Sequence, residues 1–345
     1  MDRRALMALL GAAMAVPKAL AAAPAGPRPG IVKPPRLRSG DTVGLIEPAG
    51  FTDDAFDLDM VKETIIAMGL KPKPAKHLVE RYGYLAGTDA DRAADVNAMF
   101  ADAEVRAVFA TRGGWGCARI LPYLDFAKIR ANPKLLIGFS DITALHLAFA
   151  ARAGFVTIHG PNAASSWPRF SWDAFRALAF DGTTPTLSNP EGHEDRLVQR
   201  SGRIRTFRSG KASGRLLGGN LTVLSTLMGT PWVPDFAGAI LFIEDVSEQP
   251  YRIDRMLTQL SLAGVLGKVA GVVFGQCTEC GPSGASYGGF TLSEVLQQHL
   301  AALKVPAFQG AQFGHVASQF SLPVGCRAEI DADAGTIRLL EPAVR

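Results

Sequence analysis

The chain has little of what would place it in several large protein classes. Only four of its 345 residues are cysteines, far too few for a disulfide scaffold. Those four, Cys117, Cys277, Cys280 and Cys326, contain one Cys-x-x-Cys pair, whereas a zinc ribbon needs two. That pair follows a strand-like run, Val269 to Phe274, instead of opening a helix, which argues against thioredoxin-like chemistry. The thiols are read as structural or incidental, with a small disulfide as the alternative. None of the six histidines has His-x-x-x-His or His-Glu-x-x-His spacing, so a metal hydrolase is disfavoured and neither metal nor cofactor is expected. Charge is sparse, at 20% of residues and a net +4, and a net +2 of that falls in the first 23 residues. The remainder is too weakly basic to track phosphates, so nucleic acid is not an expected partner. Past the N-terminus no stretch is long and apolar enough to span a membrane, and no repeat or low-complexity segment stands out.

What is present is a large apolar fraction, 48%, which excludes a disordered tail and suffices for two ordinary cores. The first residues read as an export signal. Asp2-Arg3-Arg4 is a charged start, Ala5 to Val16 an apolar run, and Ala19-Leu20-Ala21 a small-x-small cleavage pattern. The run is too short for a membrane span; a buried N-terminal helix is the other reading. A mature protein starting near Ala22, periplasmic or secreted and without a stable membrane anchor, is expected. The arginine pair hints at the twin-arginine route.

After a signal peptide at 1–23 and an extended leader at 24–38, apolar runs alternate with helical spacing. Thr42 to Ile46, Val105 to Ala110 and Leu135 to Phe139 read as buried strands. Asp54 to Met68 and Asp89 to Ala103 read as helices, as does Cys117 to Ile129. This alternation predicts a parallel sheet with crossover helices over 39–165, an α/β domain of Rossmann or flavodoxin type. Residues 166–212 have little periodicity and read as a linker with connecting strands. A smaller C-terminal β/α domain is expected over 213–345. Its strands are Ala239 to Ile243 and Val269 to Phe274, its helices Arg252 to Ala263 and Ser293 to Leu303, and one further helix follows Gly218-Gly219-Asn220.

In Gly138-Phe139-Ser140-Asp141-Ile142-Thr143 an apolar strand runs straight into a helix. A serine at such a turn lifts its hydroxyl above the sheet edge, where the helix N-terminus supplies free N–H groups and partial positive charge. That is the arrangement of a nucleophile elbow, although Ile142 stands where G-x-S-x-G has its second glycine. A plain helix N-cap is the competing role for Ser140. Arg112-Gly113-Gly114-Trp115-Gly116 follows the preceding strand; its glycines allow close backbone approach and suit an oxyanion loop, or else a tight turn that binds nothing. A serine needs a base, and the base an orienting acid. Glu244 at the end of the run Leu241-Phe242-Ile243 and His315 after Gly314 are the candidates, in the chain order nucleophile, acid, base. His146 and His159 are rival bases. Of these, His146 is the one expected to be packed.

Taken together, Arg112 to Gly116, Gly138 to Thr143, Gly218 to Leu221, Phe242 to Val246 with Pro250 to Arg255, and Gly314-His315 resemble the LD-carboxypeptidase family of serine peptidases, which also contains the microcin-C immunity peptidases. The resemblance spans about Thr42 to Ile330. It implies a Ser140-Glu244-His315 triad, with the serine on the N-terminal domain, acid and base on the C-terminal one, and the cleft between them. It further implies oxyanion donors at the Asp141 N–H and in the Gly113-Gly114 loop. Trp115, Arg112, Asn220 and Glu248 would lie near substrate, with Glu248 the rival to Glu244 as the acid. The substrate implied is a murein tetrapeptide losing its terminal D-alanine from an L-configured centre. The export signal departs from a family often found in the cytoplasm and points to the wall itself or to periplasmic peptides. The alternatives are hydrolysis of acyl-adenylate-type peptides and a non-catalytic periplasmic binding protein. Beyond a peptide substrate, a homodimer is left open.

Overall fold

The computed structural model describes residues 31–190, 197–198, 202–281 and 289–345. The expected signal peptide and the first part of the leader lie outside the described residues. Among the described residues no helix is long and apolar enough to cross a membrane.

In chain order the strands are β1 (Thr42–Ile46), β2 (Lys71–Pro74), β3 (Val105–Ala110), β4 (Leu135–Gly138), β5 (Thr157–His159), β6 (Thr186–Leu187), β7 (Arg205–Arg208), β8 (Lys211–Asn220), β9 (Ile240–Val246), β10 (Gly271–Thr278), β11 (Ala307–Gln309), β12 (Leu322–Val324), β13 (Arg327–Asp331) and β14 (Thr336–Leu339). They form two sheets, ordered β12-β5-β4-β3-β1-β2 and β6-β14-β13-β8-β9-β10-β11-β7. The first is parallel apart from β12, which enters antiparallel beside β5. The second is parallel from β8 through β9 and β10 to β11 and antiparallel at its flanks. Strand β4 is buried along its whole length and β3 at all but Arg106, as continuous apolar strands covered on both faces must be.

Helices α1 (Ala55–Ala67) and α2 (Asp89–Ala101) make the first crossovers, capped by the side chains of Asp54 and Thr88. The single helix expected from Cys117 to Ile129 is broken in the structure. It divides into α3 (Cys117–Ile120), a 3₁₀ turn at Leu121–Tyr123 and α4 (Phe126–Ala131), because Pro122 cannot continue a helix and Asp125 caps a new one. Helix α5 (Thr143–Arg152) follows β4.

The segment expected to be an aperiodic connection holds α6 (Arg169–Ala179). Its buried residues Ser171, Phe175, Leu178 and Ala179 fall at i, i+4, i+7 and i+8, a helical stripe that its tryptophan and phenylalanine content obscured. Phe175 packs edge-on to Phe109 of β3, with ring centroids 5.7 Å apart. Helices α7 (Leu221–Thr226), α8 (Pro250–Leu262) and α9 (Leu292–Leu300) serve the second sheet. The described part of the leader is extended and tied down, with Val32 bridged to Phe155 and Arg36 bonded to the Arg345 carbonyl.

Candidate active site

The carboxyl ends of β4, β9 and the loop before β12 converge, and the residues with catalytic chemistry sit there. After the buried Leu135–Gly138 strand, Phe139 is extended and Ser140 takes φ +65° before a 3₁₀ turn, Ser140–Ile142, leads into α5. Left-handed backbone costs a non-glycine residue roughly 1–2 kcal/mol. The turn is held from two sides. Asn162 Oδ1 accepts the Phe139 N–H at 3.1 Å. His146, one turn into α5, donates from Nε2 to the Gly138 carbonyl and accepts from Thr157 Oγ1 at Nδ1, both at 2.8 Å. The carbonyl can only accept, which assigns this tautomer. Burial lowers the His146 pKa to about 4, so it is a neutral strut.

Gly113 lies against the Ser140 turn: a Cβ there would stand 2.8 Å from Ser140 Cβ, 3.0 Å from its Oγ and 3.5 Å from the Asp141 nitrogen. Only glycine allows that approach. The Asp141 N–H and Gly113 therefore lie together beside Ser140, at the start of a helical segment, while Gly114 packs against the Gly50 backbone. The Asp141 side chain has a second role: its Oδ2 accepts the Cys117 N–H at 2.7 Å, tying the glycine loop and α3 to the elbow. Burial pushes this carboxyl up, while hydrogen bonds from Cys117 and Gly116 oppose the rise.

From the second sheet, Glu244 reaches across with no exposed surface, and its Oε2 accepts from His315 Nδ1 at 2.8 Å. His315 Nε2 is then free to accept from Ser140 Oγ, 3.0 Å away. Gly314, at φ +101°, makes this possible, since a Cβ there would lie 2.6 Å from Glu244 Oε2. Glu244 does not close its strand as expected. Strand β9 runs on to Val246 because Asn220 pairs with Glu244 on one side, while Cys277 and Thr278 pair with Asp245 and Val246 on the other.

The remaining candidates fall in different places. Glu248 forms an ion pair with Arg252 at 3.6 Å and meets Thr222 at 3.4 Å. Arg112 and Trp115 are about half exposed; Arg112 donates to the Phe51 carbonyl and faces Asp53 at 3.7 Å. Asn220 is a buried helix cap instead of an open contact surface. Its Oδ1 accepts the Val223 N–H and its Nδ2 donates to Asp245. His159, the rival base, is fully buried among Phe139, Phe242 and Phe313, and neither ring nitrogen has a hydrogen-bond partner among the described residues. Cys277 and Cys280 are joined as a disulfide, so they are not free thiols, while Cys117 and Cys326 are free and buried.

Sequence reasoning missed Asn162 and Asp245. Asn162 lies three residues past the end of β5, a position at the carboxyl end of a parallel strand that is itself a signal. Asp245 is buried and accepts from Thr222, Asn220 and the Val246 N–H; burial, reinforced by the neighbouring Glu244, raises its pKa to about 6. Two cavities adjoin the turn. One of about 530 Å³ is lined by Arg112, Phe139, Asn162, Asp53 and Asp57 among others. Another of about 300 Å³ has His315, Phe139, Trp167 and Gln319 in its wall.

A strained serine at a strand-to-helix turn, hydrogen-bonded to a histidine that is itself bonded to a buried carboxylate, is the constellation of a serine hydrolase. Residues 43–160 match the family model of the LD-carboxypeptidase N-terminal domain, and residues 213–330 that of the C-terminal domain. A putative carboxypeptidase of Streptomyces coelicolor is 40% identical over 320 residues, 91% of this chain and 98% of that one. A probable murein peptide carboxypeptidase of Bacillus subtilis is 36% identical, over 87% of this chain and 91% of its own. Among solved structures, the microcin C7 self-immunity protein MccF in complex with glutamyl sulfamoyl guanosine superposes with a TM-score of 0.80 at 26% identity, over 91% of this chain and 99% of that one. The chain belongs to the LD-carboxypeptidase family and is a serine peptidase.

Proposed function

We propose that the protein is an exported LD-carboxypeptidase that releases the terminal D-alanine of murein tetrapeptide, with Ser140 as nucleophile, His315 as base and Glu244 as its orienting acid. The observation that carries this reading is the unbroken relay from Ser140 Oγ through the His315 ring to Glu244 Oε2. His315 Nε2 takes the hydroxyl proton as Ser140 attacks the carbonyl, and Glu244 stabilises the imidazolium. The same proton then goes to the departing amine of D-alanine. The tetrahedral oxygen faces the Asp141 N–H and the Gly113-Gly114 loop, where each donor is worth roughly 2.7–4 kcal/mol in comparable sites. Water then enters by the same base and frees Ser140. Arg112, half exposed in the wall of the larger cavity, is the cation suited to a peptide carboxylate.

The likeness to MccF supports a second reading, hydrolysis of acyl-adenylate-type peptides. A mass-spectrometric panel separates the two. D-alanine release from murein tetrapeptide supports the first reading. Turnover of an acyl sulfamoyl nucleoside with murein tetrapeptide left intact would replace it with the second. Labelling of Ser140 by a fluorophosphonate tests catalysis of either kind; an unlabelled, inert protein would mean a binding protein. Export is tested apart from chemistry. The native N-terminus should lie near Ala22, and an intact Met1 would overturn it.

A further inference from the structure

His315 sits in a loop without regular secondary structure between β11 and β12, and something must hold its backbone still. The Thr278 hydroxyl, at the end of β10, donates to the His315 carbonyl at 2.6 Å. Thr278 is itself held in place. Its own carbonyl accepts the Ser247 N–H at 2.9 Å, which fastens it to the end of β9 beyond Glu244. On either side stand Cys277 and Cys280, whose disulfide closes a four-residue turn with Cα atoms 5.4 Å apart. Inside that turn Glu279 takes φ +58°, and it accepts from the hydroxyl of Ser247, itself at φ +57°. Neither residue is a glycine. A strained pair of this kind persists only where the surroundings over-determine it, and the disulfide is the covalent part of those surroundings. Loop-closure entropy makes so short a crosslink a weak contributor to global stability, so its effect is local.

We propose that Thr278, clamped by the Cys277–Cys280 disulfide, is a positioning residue for His315: it fixes the backbone from which the imidazole reaches both Glu244 and Ser140. The proposal rests on the Ser140-His315-Glu244 reading above. Reaction with a small dithiol breaks the Cys277–Cys280 bond by thiol–disulfide exchange. The two sulfurs gain two electrons and two protons and become thiols, and the dithiol leaves as its own disulfide. The clamp then opens.

The test compares wild type with Thr278→Val, Thr278→Ser and Cys277→Ser/Cys280→Ser on one peptide, alongside Ser140→Ala. Displacing a catalytic group by about 1 Å costs on the order of 10²-fold, so Thr278→Val should lower kcat by roughly 10- to 100-fold with KM nearly unchanged. Thr278→Ser, which keeps the donor, should recover most of that loss. Dithiol treatment should lower the wild-type kcat and leave Thr278→Val and the double serine variant unaffected. Normal kcat in Thr278→Val while Ser140→Ala is dead overturns this inference and spares the triad. A loss that serine does not rescue, or one that follows Tm across the variants, also overturns it. Activity in Ser140→Ala defeats the triad reading instead.

Discussion

Asp141 Oδ2 accepts the backbone N–H of Cys117 at 2.7 Å, so the residue after Ser140 fastens the glycine loop with its side chain, while its own N–H is the donor proposed above for the oxyanion. Asp141→Ala removes the acceptor and leaves a buried N–H unpaired, at a cost of about 1–3 kcal/mol. Urea unfolding should register that loss, and kcat should fall with it. Asp141→Asn keeps an acceptor oxygen and should be the milder variant on both measures.

Ser140 predicts an opposition between stability and activity. Glycine is free of the left-handed penalty of roughly 1–2 kcal/mol, less about 0.5–1 kcal/mol for its larger entropy loss on folding. Ser140→Gly should therefore unfold at slightly higher urea than wild type yet turn over no substrate, whereas Ser140→Ala gains no stability. Near-normal rates in either variant would sink the serine mechanism.

Glu244 and Glu248 are separable by kinetics. Glu244→Gln cannot stabilise the imidazolium and should depress kcat by about 10²–10⁴-fold. Glu248→Gln loses its Arg252 pair and should act mainly through KM. A kcat collapse confined to Glu248→Gln would reverse the assignment.

Glu47 makes stability depend on pH. It is 3% exposed and accepts from the Thr52 N–H and hydroxyl, yet burial raises its pKa from 4.5 to about 7. A carboxyl with a folded pKa above its unfolded one contributes stability that is complete below the unfolded value and lost as pH climbs through the folded one. Between about pH 4.5 and 7 this group should withdraw as much as ~3 kcal/mol. Glu47→Gln should match wild type near pH 4 and exceed it at pH 8 in urea unfolding; equal stability at both pH values would show that Glu47 ionises normally.

The buried parallel strands were plain in the sequence, and Val105 to Ala110 agrees with β3 at both ends, because an apolar run bounded by charge and glycine admits few other structures. Ser140 was legible for the same local reason, a strand meeting a helix at one residue. The Asn162 brace and the Asp141–Cys117 bond were not legible. Both join segments about 23 residues apart by side-chain geometry, which leaves no periodic trace. Helix α6 had its periodic trace, but its aromatics read as turns. The extension of β9 through Glu244 and Asp245 was hidden because charged residues normally end a buried strand, and here neighbouring strands pair with their backbone.

The antiparallel entry of Leu322–Val324 beside Thr157–His159 bears on how the molecule comes into being. The first sheet lacks its last strand until Leu322–Val324 have been synthesised, so a ribosome-bound N-terminal half carries an open edge at β5, next to the strand that leads into Ser140. Such an edge invites wrong pairing. A gene split between the two halves should therefore yield an insoluble first fragment, recovered only when the second is made in the same cell.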